Sequence, residues 1–189
     1  MKIKITILSK IVVLVFLLST FTAISQEDEK FEASVSLSFP ETYFGIYEGD
    51  LYITSQNGTT NIPMEFHLLP IEGEKDKYQY TIVYITNEIR QERQYTLITK
   101  DAEKGVYTID ENNGILLDAK VWTNKLYSMF EVQGSLLTTQ LTFEADHMIF
   151  EITFSRKEVA NKSGTTDEKP IEVLSYPITT VQKGVLKKQ

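Results

Sequence analysis

The 189-residue sequence contains no cysteine. That absence excludes a disulfide framework, a thiolate zinc site, an iron–sulfur cluster, a thiol nucleophile and a lipid-modified N-terminal cysteine. Histidine is scarce too. His67 and His147 stand far apart, with no HExxH or His-x-His spacing, whereas a metal site needs three or four converging ligands. No metal and no cofactor is therefore expected. Basic residues are in deficit, 19 Lys and Arg against 26 Asp and Glu for a net charge of −7, which argues against a nucleic-acid partner. No Gly-x-Ser-x-Gly elbow supports a serine triad. Helical stripes of ten or more residues are missing, and no unit of 20–50 residues repeats. That argues against a solenoid or a propeller.

Only one long apolar run is present, at the start. Lys2, Lys4 and Lys10 precede or flank the unbroken stretch Ile11 to Leu18, and Ala23-Ile24-Ser25 follows with small residues at two alternate positions. Residues 1–25 therefore read as a secretory signal peptide. The apolar run is short for a ~30 Å hydrocarbon core, and Ser19, Thr20 and Thr22 interrupt it. The protein is expected to be exported, periplasmic or extracellular after cleavage, with no stable membrane insertion. The leader holds three lysines and no acidic residue, so cleavage leaves 16 basic and 26 acidic residues, a net −10. Without cysteine, the exported domain must be stable through its core alone.

Residues 26–42 begin with an acidic stretch and read as a solvated leader. From Tyr43 onward the apolar period is two. Met148, Phe150, Ile152 and Phe154 share one face; so do Leu137, Thr139, Leu141 and Phe143, Tyr78, Tyr80, Ile82 and Tyr84, and Met64, Phe66 and Leu68. One apolar and one polar face per run is the pattern of antiparallel strands around one core. Strands are predicted at 44–54, 61–69, 78–86, 90–99, 106–110, 115–122, 126–133, 136–144 and 148–156. A tenth, at 171–182, follows a polar loop. Asn57-Gly58 is the strongest turn signal and predicts a type I′ hairpin. The fold class is all-β, an antiparallel up-and-down β-barrel of about 8–10 strands. Its core spans 43–157, with a polar loop and C-terminal strand over 158–189. Short strands and a C-terminus of Lys187-Lys188-Gln189 favour a barrel in water over an outer-membrane barrel.

The first strand carries Gly45-Ile46-Tyr47, and the strand at 148–156 ends Phe154-Ser155-Arg156. With the meander between them, this resembles the calycins, the lipocalin and fatty-acid-binding-protein-like barrels. The resemblance implies that Gly45 and Tyr47 stand where that family has Gly-x-Trp. It also implies that Arg156 packs over the aromatic ring to close the barrel base, a cation–π contact. It further nominates Arg93, with Tyr95 on the same face, to fix a ligand carboxylate in the lumen. Cross-strand ion pairing on the outside is the other reading of the Arg90, Glu92, Arg93 and Glu131 set.

Ten Tyr and ten Phe accompany a single Trp. Phe66, Tyr80, Tyr84, Tyr95, Tyr107, Trp122, Phe130, Phe143 and Phe150, with Arg93, are the candidate lumen residues. A wall of Tyr and Phe suits a small hydrophobic or aromatic ligand with one polar end. The same residues can instead pack on each other and fill the core. Two functions follow, a non-catalytic binding protein or a structural and interaction module of the cell envelope contacted through loops such as 70–77 and 157–170. A barrel enzyme is the third reading, without an evident polar cluster. Glu48 and Asp50 share an outer face, and Asp110 to Gly114 reads as a hairpin turn, not a calcium loop.

Overall fold

The computed structural model describes residues 39–167 and 169–189; the expected signal peptide and residues 26–38 of the expected leader lie outside them. The described residues form twelve strands: β1 (Gly45–Ser55), β2 (Gly58–Pro70), β3 (Lys77–Thr86), β4 (Ile89–Asp101), β5 (Val106–Asp110), β6 (Leu116–Trp122), β7 (Lys125–Val132), β8 (Ser135–Phe143), β9 (His147–Arg156), β10 (Asn161–Gly164), β11 (Glu172–Ser175) and β12 (Ile178–Lys188). Ten of them close an antiparallel barrel in the order β1-β12-β9-β8-β7-β6-β5-β4-β3-β2, and β10 and β11 make a separate hairpin. Closure leaves neither end of the meander as a free sheet edge.

Alternation divides each strand into a lumen face and an outer face. Tyr47 and Leu51, Met64, Phe66 and Leu68, Leu141 and Phe143, and Met148 and Phe150 are buried. Glu48, Asp50, Lys183 and Lys187 point outward and are exposed. Lys183 pairs across strands with Glu151 at 2.9 Å.

The C-terminal strand differs from expectation. The barrel core does not end at 157, because β12 inserts between β9 and β1 and completes the wall. Residues 172–175 of the expected 171–182 strand instead pair with β10. The glycine that the seam requires is Gly49. A Cβ there would lie 2.6 Å from the Val185 carbonyl oxygen, a backbone atom, whereas one at Gly45 would meet only the flexible Lys188 side chain.

Turn chemistry is corrected as well. At 55–58 the positive φ falls on Gly58 alone, so Asn57-Gly58 is not a type I′ pair. The two positive φ values of that turn type occur at Asn87-Glu88, 52° and 65°.

One end of the barrel is solid. Phe39 and Pro40, within the expected solvated leader, are buried. The Phe39 ring packs on Tyr107 at 5.2 Å and on Phe143 at 5.7 Å. Phe143 also stacks on Tyr43 and meets Tyr47 and Phe66. Three tyrosine hydroxyls around this plug find acceptors. Tyr107 donates to the Phe39 carbonyl at 2.9 Å, Tyr47 to the Tyr43 carbonyl at 2.6 Å and Tyr78 to Glu41 at 2.8 Å. Desolvation pushes the Tyr47 and Tyr107 hydroxyls up to about 12, so they stay protonated donors.

Candidate functional site

The other end is hollow. A cavity of about 480 Å³ opens among the turns at 110–116 and 132–135. Its walls come from β3 to β9: Tyr80, Ile82 and Tyr84, then Arg93 and Tyr95, then Ile109 and Leu117, with Phe130, Leu137 and Ile152 opposite. These are lumen-facing positions of alternating strands, so period two alone brings them together. Ser128 and Thr139 add hydroxyls to the wall, and Glu111, Ile115, Glu131 and Val132 also line it.

Tyr80 sits where plug and cavity meet. Its ring is edge-on to Phe66 at 4.8 Å and stacks on Tyr95, its direct cross-strand partner, at 6.2 Å. Burial pushes the Tyr80 and Tyr84 hydroxyls up, Tyr84 despite the opposing pull of Arg93. Both therefore remain neutral hydrogen-bond donors facing the cavity. Arg93 projects over the Tyr84 ring, 5.4 Å from its centroid. Its guanidinium is partly desolvated, which works against the charge, but the Tyr95 hydroxyl, Tyr84 and Glu111 outweigh that and raise its pKa. The side chain stays open to solvent through the mouth. Among the described residues Arg93 makes no ion pair, whereas Glu131 is engaged by Lys157 at 2.7 Å.

The candidate lumen residues thus divide. Tyr80, Tyr84, Arg93, Tyr95 and Phe130 line the cavity. Phe66, Tyr107, Phe143 and Phe150 are buried in the solid core instead, where no ligand reaches them. Trp122 faces outward, half exposed, with the Lys120 Nζ 4.5 Å from its ring centroid. Arg156 does not meet Tyr47. It pairs with Ser135 at the far end of β9, some nine residues, or about 30 Å of strand, from the Tyr47 end. Its side chain is exposed, 3.6 Å from Glu158. The cation over Tyr47 is Lys188, 5.8 Å from the ring centroid, contributed by β12, the true last strand. The aliphatic walls Ile82, Ile109, Leu117, Leu137 and Ile152 were legible only as alternating apolar positions, with no signal separating lining from core.

Neither histidine lines the lumen cavity. His147 contacts Asp146 at 2.7 Å. His67 contacts Glu65 at 2.8 Å on the outer face, where Arg90 also grips Glu65, with the Nη2–Oε2 bond at 2.9 Å. Arg90, held mainly by its hydrogen bonds, brings the Glu65 carboxyl down to about 2 from 4.5. A lowered folded-state pKa adds stability that is complete above about 4.5 and lost as pH falls toward 2. Glu65→Gln removes that term. Between pH 6 and pH 3 the wild type is expected to lose about 1 kcal/mol more stability than the variant, after discounting for solvent screening. Urea unfolding at the two pH values measures it, and parallel losses would refute the assignment.

No family model and no curated protein matches the chain. Among solved structures it is similar to Rv2717c from M. tuberculosis, at 9% identity and a TM-score of 0.48 over 84% of this chain and 98% of that one.

Proposed function

We propose that this is an exported, non-catalytic binding protein that holds a small hydrophobic or aromatic ligand in the open half of its barrel. The observation that carries the reading is the aromatic-walled cavity of about 480 Å³ with an unpaired guanidinium at its mouth. That volume lies within the ~300–1,000 Å³ of small-molecule sites, and an apolar wall with few polar groups is their usual lining. Tyr84 and Tyr95 offer flat faces with hydroxyls, and Arg93 offers a charge for an anionic end of the ligand. The calycin-like arrangement belongs to this proposal, as does export, which rests on the basic and apolar leader of the sequence.

A matched pair of probes tests it. 8-Anilinonaphthalene-1-sulfonate carries a negative charge that its parent, N-phenyl-1-naphthylamine, lacks. Arg93→Gln is expected to weaken the sulfonate by about tenfold and leave the neutral amine within twofold, since a charge-assisted bond at an open mouth is worth roughly 1.4 kcal/mol. Ile152→Trp, which fills the lumen, is expected to abolish binding of both, read by fluorescence titration. Undiminished binding to the filled variant sinks the lumen as the site. Native mass spectrometry of the purified protein then looks for the ligand it carries.

A further inference from the structure

The barrel wall is incomplete beside the cavity. β6 and β7 are laddered only from Ala119↔Ser128 to Trp122↔Lys125. Toward the open end, Leu116–Asp118 pair with β5 alone and Met129–Val132 with β8 alone. The Ser128 hydroxyl donates to the Asp118 carbonyl at 2.7 Å where the ladder stops. Beyond it, among the described residues, no hydrogen bond crosses the seam.

The split faces the lumen cavity on its inner side and meets a shallower groove outside. Leu117, Phe130, Glu131 and Val132 border the lumen cavity on its inner side. On the outer face of β6–β8, a groove of about 370 Å³ over residues 118–120, 127–129 and 138–140 reaches the lips of the split at Asp118 and Met129. Ser128 and Thr139 border both spaces. On the outer lips Leu116 is 63% and Met129 67% exposed, although both stand in regular strands.

The chemistry of the lips selects the occupant. Facing strand edges carry N–H and C=O groups that must be matched by water or by a ligand. An alkyl chain laid between them strips that water and returns no hydrogen bonds. An extended amide chain returns them at strand spacing, and its alternate side groups meet Leu116 and Met129 outside and the lumen inside. We propose that the β6–β7 split binds an extended, amide-bearing chain, such as a peptide end, whose apolar head occupies the lumen. This rests on the lumen reading above and specifies the class of ligand.

Four dansyl probes separate the two claims in the full-length protein: dansylamide, N-dansyl-valyl-threonyl-valine amide, the same peptide N-methylated at each peptide bond, and 11-(dansylamino)undecanamide. The plain peptide is expected to bind at least tenfold tighter than dansylamide. N-methylation or the alkyl arm is expected to remove that gain, because each lacks the peptide-bond N–H donors at strand spacing. At saturation, hydrogen exchange is expected to slow at the amides of 116–118 and 129–132 and to stay unchanged at 119–122. Equal binding of all four probes, or unchanged exchange at the lips, overturns the split as a site and leaves the lumen standing. No binding by any of them overturns both.

Discussion

A chain that ends at Tyr176 is expected not to fold. It lacks β12, which pairs along its length with β9 on one side and β1 on the other. Removing it leaves two long strand edges unpaired and uncovers Tyr47, Leu51, Met148 and Phe150, all buried in the closed barrel. The lost backbone bonds, at about 1 kcal/mol net each, together reach on the order of 10 kcal/mol. That is comparable to the whole stability of an ordinary domain, about 5–15 kcal/mol, before the exposed apolar surface is added. Near-UV circular dichroism is expected to be flat and thermal unfolding to lose its cooperative transition. The control is loss of the β10–β11 hairpin, whose strands are exposed throughout. Asn161 faces Ser175 across its base, so a short Gly-Ser link spans the gap. That deletion is expected to shift Tm by only a few degrees. A truncated chain that still melts cooperatively near the full-length Tm defeats the assignment of β12 as the closing stave.

The nine strands of the meander were legible because they largely alternate apolar in and polar out, as in Phe150-Glu151-Ile152-Thr153. β12 was misplaced because its phase is inverted. Its lumen side carries Gln182 and Gly184, while Val181 and Val185 face water. Pro177, whose carbonyl accepts the Ser155 hydroxyl at 2.6 Å, divides the expected 171–182 strand between two sheets. The same inversion hides the barrel base, where the cation over Tyr47 is Lys188 of β12 and not Arg156 of β9. The site was partly legible for a related reason. Alternation names the residues of the lumen face, but it says nothing about depth along the barrel axis. Tyr84 and Phe143 obey the same rule, and only the register of the closed sheet puts one at the open mouth and the other in the plug. Phe39 carries no local signal in the sequence, because its order comes from the Tyr107 hydroxyl and the rings around it, distant in sequence.

Phe143→Ala is expected to be the most damaging single side-chain truncation, because it empties the centre of the plug. Its ring lies 5.4–6.2 Å from those of Phe39, Tyr43, Tyr47 and Phe66, which are themselves held by strand register and hydrogen bonds and cannot collapse inward. Truncating such a Phe costs about 3–5 kcal/mol in transfer and cavity terms, or roughly 10 °C in Tm for a domain of this size. Phe130→Ala removes the same atoms from the cavity wall, where one side of the ring already faces open space. Fewer packing contacts are lost there, so a cost of about 1–2 kcal/mol is expected. The same variant should change probe affinity in the lumen, whereas Phe143→Ala should leave affinity nearly untouched in whatever fraction remains folded. Chemical denaturation of the two variants, paired with titration of anilinonaphthalene sulfonate, reads both quantities. Equal stability losses with equal affinity changes would mean one continuous core. The predicted split, stability lost at Phe143 and affinity at Phe130, means that the barrel assigns folding to its aromatic plug and leaves its open half free to bind.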